Sequence, residues 1–403
     1  MKSLVILSSI AALAASAPVA DPPKINKDTV PGLKVVPKNL YPKLFDANGK
    51  LQSVLSNPEG VALPKSERPE IQIEPSKDFG ASPPAGIIRK KIRYGPYRLP
   101  PTSEKNWQRE HMNLAGMADE YHYNITKPCT ECMIASLSAN LEDASGKLVP
   151  SANAWLHHSA VVIAGPQIHD PVCGESKTET LFSSGNERSV TRFHSLTAPI
   201  KSGYRVRPDD TITVVGEYKS EIDTEQYVWL TLTWEIFDGP QPAMKDAHVI
   251  WMSTINGLNC AKDAGVKNPF GETNLTAAGV PKVKAFSEHS MPWTSPINGT
   301  MLGMGGHLHD GGMSIELYQN GKVLCETKAT YASGPAAAGA MGSNHAGGDH
   351  LSALSSCPLM KPLKVNDKFW LAANYDFTKH AGSVTESGDL DEIMGVGVIL
   401  LVT

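Results

Sequence analysis

The chain has 403 residues, of which 41% are hydrophobic and 19% are charged, so it can form two or three domains with apolar cores and is not a disordered polyelectrolyte. A formal charge of −4 argues against a nucleic-acid-binding protein, which needs a concentrated basic face. The 34 glycines and 30 prolines exclude a helical bundle and favour short strands joined by tight turns.

The first 20 residues have the features of a secretory signal peptide. Lys2 gives a positive start, residues 4–15 are apolar, and Ala15-Ser16-Ala17 offers small residues for cleavage. Because Pro18 would follow a cut after Ala17, we place the cut near Ala20. The segment is too short to span a bilayer, so it predicts secretion, to the extracellular space or the cell wall.

Two further features agree with export. The chain carries three N-glycosylation acceptors, at Asn124, Asn274 and Asn298. No later segment reaches eighteen consecutive apolar residues, so we expect no membrane span.

The cysteines of an exported protein are expected to be oxidised. Six are present: Cys129, Cys132, Cys173, Cys260, Cys325 and Cys357. Since no second Cys-x-x-Cys accompanies the first one, a local Cys129–Cys132 disulfide is favoured over a zinc site. The other four would form two bridges, whose pairing the sequence leaves open.

Residues 21–91 are rich in Pro, Lys and Asp and show little periodicity. We interpret them as an extended arm or a propeptide.

Strand patterns begin at about residue 92. EYHYNI, CMIASLSANLED, WLHHSAVVIAG, DTITVVGEY and YVWLTLTWEIF belong to a first domain over 92–240, which ends at a Gly- and Pro-rich linker. In a second domain over 241–403, MSIELYQNGKVLCETK predicts a hairpin that turns at Asn320-Gly321, and FWLAANYDF and MGVGVILLV predict strands. The fold class is therefore all-β, with two tandem antiparallel β-sandwiches after an extended N-terminal arm.

The histidines are the strongest candidates for a functional role. His307 and His309 in GHLHDGG lie on the same face of a strand, about 7 Å apart along the backbone, and can converge on one ion. A solvated polar pair explains this spacing equally well. His157 and His158 are adjacent in WLHHSAVV, so they share one ion only at a strand edge or a bulge.

Met394 is a further candidate ligand, because it stands at the polar start of the last strand, after Asp391-Glu392. Two imidazoles and one thioether would select copper over zinc, and Cu(I) above all. Packing in the core is the ordinary alternative for a methionine.

The order of these motifs resembles a known family. GKLVPSANAWLHHSAVV, SSGNERSVT, GHLHDGGMSIELYQNGKVLC, DKFWLAANY and IMGVGVILLV are similar to the stress-upregulated nodulin family of plants and its fungal relatives. More distantly, 92–403 resembles the copper type II, ascorbate-dependent monooxygenases, with peptidylglycine α-hydroxylating monooxygenase as a reference member.

The resemblance implies two jelly-roll-like sandwiches that bind one or two copper ions. By position, His307, His309 and Met394 match the main, oxygen-activating site, and His157 and His158 match part of a second, electron-donating site. The family's third histidine in that second site is missing here, because the corresponding strand reads DTITVVGEYKSE and offers Gly216, Glu217 and Tyr218. His169 and His194 are the alternatives from elsewhere in the domain.

Two functions from different classes remain open. The first is a copper-dependent monooxygenase that hydroxylates an unknown small-molecule or peptide substrate with dioxygen and an ascorbate-like electron donor. The second is a non-catalytic binding or structural protein of the cell surface or wall that keeps the fold.

Overall fold

The computed structural model describes residues 30–150, 152–171, 177–185, 188, 190–194, 200–254, 283–332, 350–382, 390 and 393–403. These residues form twenty β-strands, the short helix α1 (Trp107–Met112) and two 3₁₀ helices (Leu33–Val35 and Lys38–Lys43). No helix in this part of the chain is long and apolar enough to cross a membrane.

The strands are β1 (Ile71–Glu74), β2 (Ile87–Leu99), β3 (Met117–His122), β4 (Cys132–Glu142), β5 (Ala154–Ala164), β6 (Thr178–Ser184), β7 (Thr191–Arg192), β8 (Ser202–Val206), β9 (Thr211–Ser220), β10 (Gln226–Asp238), β11 (Lys245–Ser253), β12 (Ala285–His289), β13 (Trp293–Thr294), β14 (Gly299–Leu308), β15 (Gly312–Gln319), β16 (Lys322–Ala332), β17 (His350–Leu354), β18 (Cys357–Leu363), β19 (Lys368–Asp376) and β20 (Gly395–Val402).

The described strands form three sheets. A ten-stranded sheet has the order β1-β2-β10-β4-β8-β11-β20-β14-β18, with β7 beside β4. A four-stranded sheet, β3-β9-β5-β6, and a six-stranded sheet, β12-β19-β15-β16-β17 with β13 beside β19, complete the fold. The predicted all-β sandwich class is confirmed.

Each of the smaller sheets packs on one part of the large sheet. One apolar core lies between the four-stranded sheet and β2, β10 and β4, with Trp234 and Phe182 fully buried. A second core lies between the six-stranded sheet and β14 and β20, around Phe369 and Leu371. The division at 240/241 stays a prediction, but these two cores give it a physical basis.

The large sheet continues from one sandwich into the other. β8 and β11 pair in parallel, Lys245 with Ser202 and Asp246 with Gly203, whereas β11 pairs antiparallel with β20 and β20 with β14. A sheet holds neighbouring strands about 4.8 Å apart, so this pairing fixes the two sandwiches side by side.

The arm packs against the first sandwich. Val30, Leu40 and Leu44 are buried against Tyr121 of β3 and Val215 of β9. β2 already begins at Ile87, ahead of the predicted boundary at 91/92, because its first residues pair with the end of β10. A cut at that boundary would divide a strand of the sandwich.

The hairpin predicted at Asn320-Gly321 is confirmed. β15 and β16 pair antiparallel on either side of these two residues, whose φ angles are 51° and 81°. Positive φ at both central positions is the geometry that Asn-Gly accommodates.

The described cysteines form two disulfides. Cys129 is bonded to Cys132, as predicted, and Cys325 is bonded to Cys357, which resolves part of the pairing that the sequence left open. The second bond links β16 of the six-stranded sheet to β18 of the ten-stranded sheet. Cys173 and Cys260 lie outside the described residues.

A buried carboxylate joins strands at the junction of the two sandwiches. Glu179 of β6 is 2% exposed and accepts hydrogen bonds from the Tyr204 hydroxyl of β8 at 2.5 Å and the Val249 N–H of β11 at 2.8 Å. The Nδ1 atom of His248 lies 3.7 Å from the same carboxylate. Burial opposes the charge on His248, but the nearby Glu179 outweighs this and raises the pKa of His248.

We predict that the contribution of His248 to stability depends on pH. Because its pKa is raised in the folded protein, the contribution is complete below the unfolded pKa of about 6.5 and is lost as the pH rises through the folded value. His248→Gln should lower the free energy of unfolding by about 1 kcal/mol at pH 5.5 and by less at pH 8.5. Denaturant unfolding at both pH values measures this, with the exposed His289→Gln as control. An equal loss at both pH values would contradict it.

Candidate metal centre

A β-bulge turns His157 and His158 to the same side of the four-stranded sheet. In the pairing of β5 with β9, Leu156 is opposite Tyr218 and His158 is opposite Glu217, so His157 is the extra residue. A bulge of this kind places two residues of one strand against one of its partner and redirects their side chains. The two imidazole rings consequently lie 4.1 Å apart, which adjacent residues on a regular strand could not achieve.

His307 lies near the end of β14, and His309 directly follows the last residue of that strand, Leu308. Their rings are 5.3 Å apart, and the residues are only 7% and 6% exposed. The chain then reverses at Gly311, whose φ is +87°. A β-carbon at this position would lie only 2.2 Å from the Phe377 ring. Glycine is therefore required for the turn that follows His309.

The two histidine pairs meet where the sandwiches join. The ring of His158 lies 5.2 Å from that of His307 and 5.7 Å from that of His309, and the rings of His157 and His309 are 6.3 Å apart. The side chains that the sequence divides between a main and a second site thus form one cluster, which we call the histidine cluster: His157, His158, His307 and His309.

Two groups of donor atoms within the cluster can hold a metal ion. His158, His307 and His309 each offer a ring nitrogen, and these atoms all lie within 4.8 Å of one another. Nitrogens that share one ion at about 2 Å are separated by at most about 4 Å, so small side-chain movements suffice. The second group is His157, His158 and Glu217; because His158 belongs to both groups, the number of ions stays open.

Met394 lies directly opposite His309. β14 and β20 pair His307 with Val396 and Leu308 with Gly395, and the next step of this register brings His309 to Met394. The His309 N–H donates a hydrogen bond to the Met394 carbonyl at 3.3 Å. The backbones of His309 and Met394 therefore adjoin, directly beyond the paired ends of β14 and β20.

Tyr375 contacts the backbone of Met394 at the point where it meets His309. Its hydroxyl donates a 2.6 Å hydrogen bond to the Met394 carbonyl, which therefore accepts from both Tyr375 and His309. Tyr375 is 2% exposed, and its ring stacks on Phe286. No sequence pattern indicates a role for Tyr375, because its hydrogen bond to Met394 depends on the packing of β19 against β20.

Glu217 is the carboxylate of the cluster. Its Oε2 atom lies 2.7 Å from Nδ1 of His158 and 3.3 Å from Nδ1 of His157. Burial alone would raise the pKa of Glu217, but its hydrogen bonds and charge interactions with the two histidines outweigh this and hold the pKa well below the usual range. An ionised carboxylate only accepts, so each Nδ1 donates and each Nε2 is left as the lone-pair donor for a metal.

The structure places the other candidate histidines elsewhere. His194 donates a hydrogen bond from Nδ1 to the Ser202 carbonyl at 2.8 Å and packs against Phe79 and Phe237. His169 is exposed. Neither belongs to the two metal-binding groups of the described residues. On the strand where the resemblance implies a third histidine, the carboxylate of Glu217 instead lies beside His157 and His158. The sequence shows Glu217 on the strand where the third histidine was expected, but it does not show that this strand pairs with β5.

Two proteins are similar to the chain over most of its length. The probable copper-dependent oxygenase M1 of Phoma sp. is 28% identical over 317 residues, 78% of this chain and 72% of the relative. The probable copper-dependent oxygenase clz3 of Cochliobolus lunatus is 28% identical over 270 residues, 66% of this chain and 78% of the relative. No protein-family model matches the chain.

The chain is thus similar to proteins named as probable copper-dependent oxygenases, in agreement with the copper and oxidoreductase parts of the prediction. These relatives do not test the likeness to the nodulin family, which stays a prediction.

We predict that Tyr375→Phe weakens the link between Met394 and His309. Loss of one buried hydrogen bond should lower the free energy of unfolding by about 1 kcal/mol, and binding of Cu(I) should weaken more than binding of Cu(II), since a displaced thioether affects the softer ion more. Competitive titration of both ions measures this. Tyr318→Phe is the control, because it removes a tyrosine hydroxyl that donates to the Glu316 carboxylate, away from the cluster. Equal effects of the two variants on copper binding would contradict the prediction.

Proposed function

We propose that the protein is a copper-dependent oxygenase that hydroxylates a C–H bond of an organic substrate. The single observation that carries this proposal is the convergence of the two histidine pairs, from different sandwiches, beside Met394. Similarity to two proteins named as probable copper-dependent oxygenases supports it.

The donors of the cluster fit copper. Imidazole nitrogen suits both oxidation states of copper, and a thioether favours Cu(I) over zinc and over hard ions such as magnesium. His158, His307 and His309 would hold one ion together with Met394. His157, oriented by Glu217, would complete that site or hold a second ion. Bound copper would supply one-electron redox chemistry and the activation of dioxygen.

The reaction needs a reductant. Hydroxylation of a C–H bond by dioxygen puts one oxygen atom into the product and reduces the other to water. The overall reaction consumes two electrons and two protons. Oxidation of an ascorbate-like donor supplies the two electrons, and the donor and the solvent supply the two protons. We propose such a donor together with a small-molecule or peptide substrate.

The chain's own residues would orient the donors and limit access of water. The side chains of His157 and His158 are 16% and 25% exposed, whereas His307 and His309 are 7% exposed or less. Substrate and reductant would therefore reach the cluster from the side of the first sandwich. The backbone hydrogen bonds at Met394 hold the opposite side of the cluster in place.

We also propose that the protein is secreted. The disulfides of the described residues are typical of oxidising compartments. Asn124 and Asn298 are exposed, as glycan acceptors must be. Residues 1–20 and Asn274 lie outside the described residues, so the signal peptide rests on its sequence pattern.

We predict that each histidine pair is needed for full copper binding. His158→Ala and His309→Ala should each lose about one copper ion per chain, because each variant removes an imidazole from the group of three. Metal analysis of the purified secreted protein measures the ratio, with the exposed His289→Ala as control. Wild-type copper content in both cluster variants would contradict the proposal.

Oxygen uptake then separates the two functions left open by the sequence. The copper-loaded wild type should consume dioxygen in the presence of ascorbate and peroxide scavengers, and His309→Ala should lose this uptake. Stoichiometric copper without any uptake across a panel of organic substrates would favour a non-catalytic binding protein instead.

We predict that Asn124 carries a glycan in the secreted protein. Asn124→Gln should increase the electrophoretic mobility by one glycan step, and treatment with a glycosidase should abolish the difference. Identical mobility of the variant and the wild type before treatment would contradict this.

A further inference from the structure

Glu217 contacts both histidines of the first sandwich through one oxygen atom. Its Oε2 lies within hydrogen-bond distance of both Nδ1 atoms, at 2.7 Å for His158 and 3.3 Å for His157. Among the described residues, these are also its only ion-pair contacts within 4 Å. The carboxylate is therefore dedicated to the two imidazoles.

The strand register produces this arrangement. β9 places Glu217 opposite His158 at the bulge of β5, so that two successive histidines face a single carboxylate. On its other side, Glu217 is paired with Asp119 of β3, whose own carboxylate is held by the side chains of Gln108 and Asn39. Asp119 is thus bound by Gln108 and Asn39, whereas Glu217 contacts the two histidines.

Hydrogen bonds from Nδ1 determine which nitrogen each imidazole presents to a metal. A carboxylate that accepts from Nδ1–H fixes the tautomer and the ring orientation, and it increases the basicity of Nε2. In His158 the Nε2 atom is buried, and the ring lies beside His307 and His309. The Glu217 contact consequently directs the donor nitrogen of His158 towards the histidines of the second sandwich.

We propose that Glu217 is a positioning residue that orients His157 and His158 for copper and, through its negative charge, favours the Cu(II) state. This inference rests on the proposed function, since it assumes copper in the histidine cluster. The proposed role of Glu217 also accounts for a carboxylate on the strand where the resemblance implied a third histidine. Glu217 acts through the imidazoles and does not itself bind the metal.

The test compares Glu217→Gln and Glu217→Asp with Glu221→Gln, which removes a carboxylate that pairs with Lys219 just beyond the end of β9. Affinities for Cu(II) and Cu(I) are measured by competitive titration, and the potential by electrochemistry. Pulsed electron paramagnetic resonance of the Cu(II) form reports the remote Nδ1 nitrogens of the bound imidazoles. Circular dichroism and thermal unfolding confirm that the variants are folded.

We expect Glu217→Gln to weaken Cu(II) binding about 10- to 100-fold and to weaken Cu(I) binding less. A tenfold difference between the two losses corresponds to a rise in potential of about 59 mV for a one-electron couple. The remote-nitrogen signal should change while the number of bound imidazoles stays the same. Glu217→Asp should restore part of the Cu(II) affinity, and Glu221→Gln should match the wild type.

Two results would overturn the inference. Unchanged affinities, potential and remote-nitrogen signal in Glu217→Gln would show that the contact has no influence on the metal. Loss of a directly bound oxygen donor, or imidazoles bound through Nδ1, would show that Glu217 is a ligand. Failure of the wild type to bind copper would instead refute the proposed function, so the two failures are distinguishable.

Discussion

The centre depends on one contact between the sandwiches, that of the His158 ring with the His307 ring, 5.2 Å apart. These residues are far apart in the chain and belong to different sheets. They meet because β8 and β11 pair in parallel and the large sheet then continues through β20 to β14. Hydrogen-bonded strands keep a fixed spacing, so the large sheet fixes the position of β14 relative to the first sandwich. β5 belongs to the four-stranded sheet and is held against the large sheet by the apolar core between them.

Local sequence rules were sufficient for features that one strand or one turn determines. Alternation placed His307 and His309 on one face, and Asn320-Gly321 indicated the hairpin. The adjacent pair His157-His158 required an irregular strand, and β5 has a bulge at that point. In each case the geometry follows from residues that are neighbours in sequence.

Features that depend on register between distant strands could not be obtained in this way. The resemblance to the copper monooxygenases suggested two separate sites. No rule based on neighbouring residues predicts that the two histidine pairs lie next to each other. Glu217 was visible as the residue in place of a missing histidine, yet its role requires the pairing of β9 with the bulge. Met394 is similar: the polar start of its strand suggested a ligand, whereas only the β14–β20 register sets it against His309. β2 begins at Ile87, inside the segment interpreted as an arm, because it pairs with β10, which follows it by more than a hundred residues.

The placement of the histidine cluster across the junction has a thermodynamic consequence. A ligand that binds side chains of two bodies favours the state in which they are close, and by reciprocity the closeness of the bodies sets its affinity. A substitution or bound partner that changes the separation of the two sandwiches would therefore change the dissociation constant of the metal, even when it touches none of the ligating atoms.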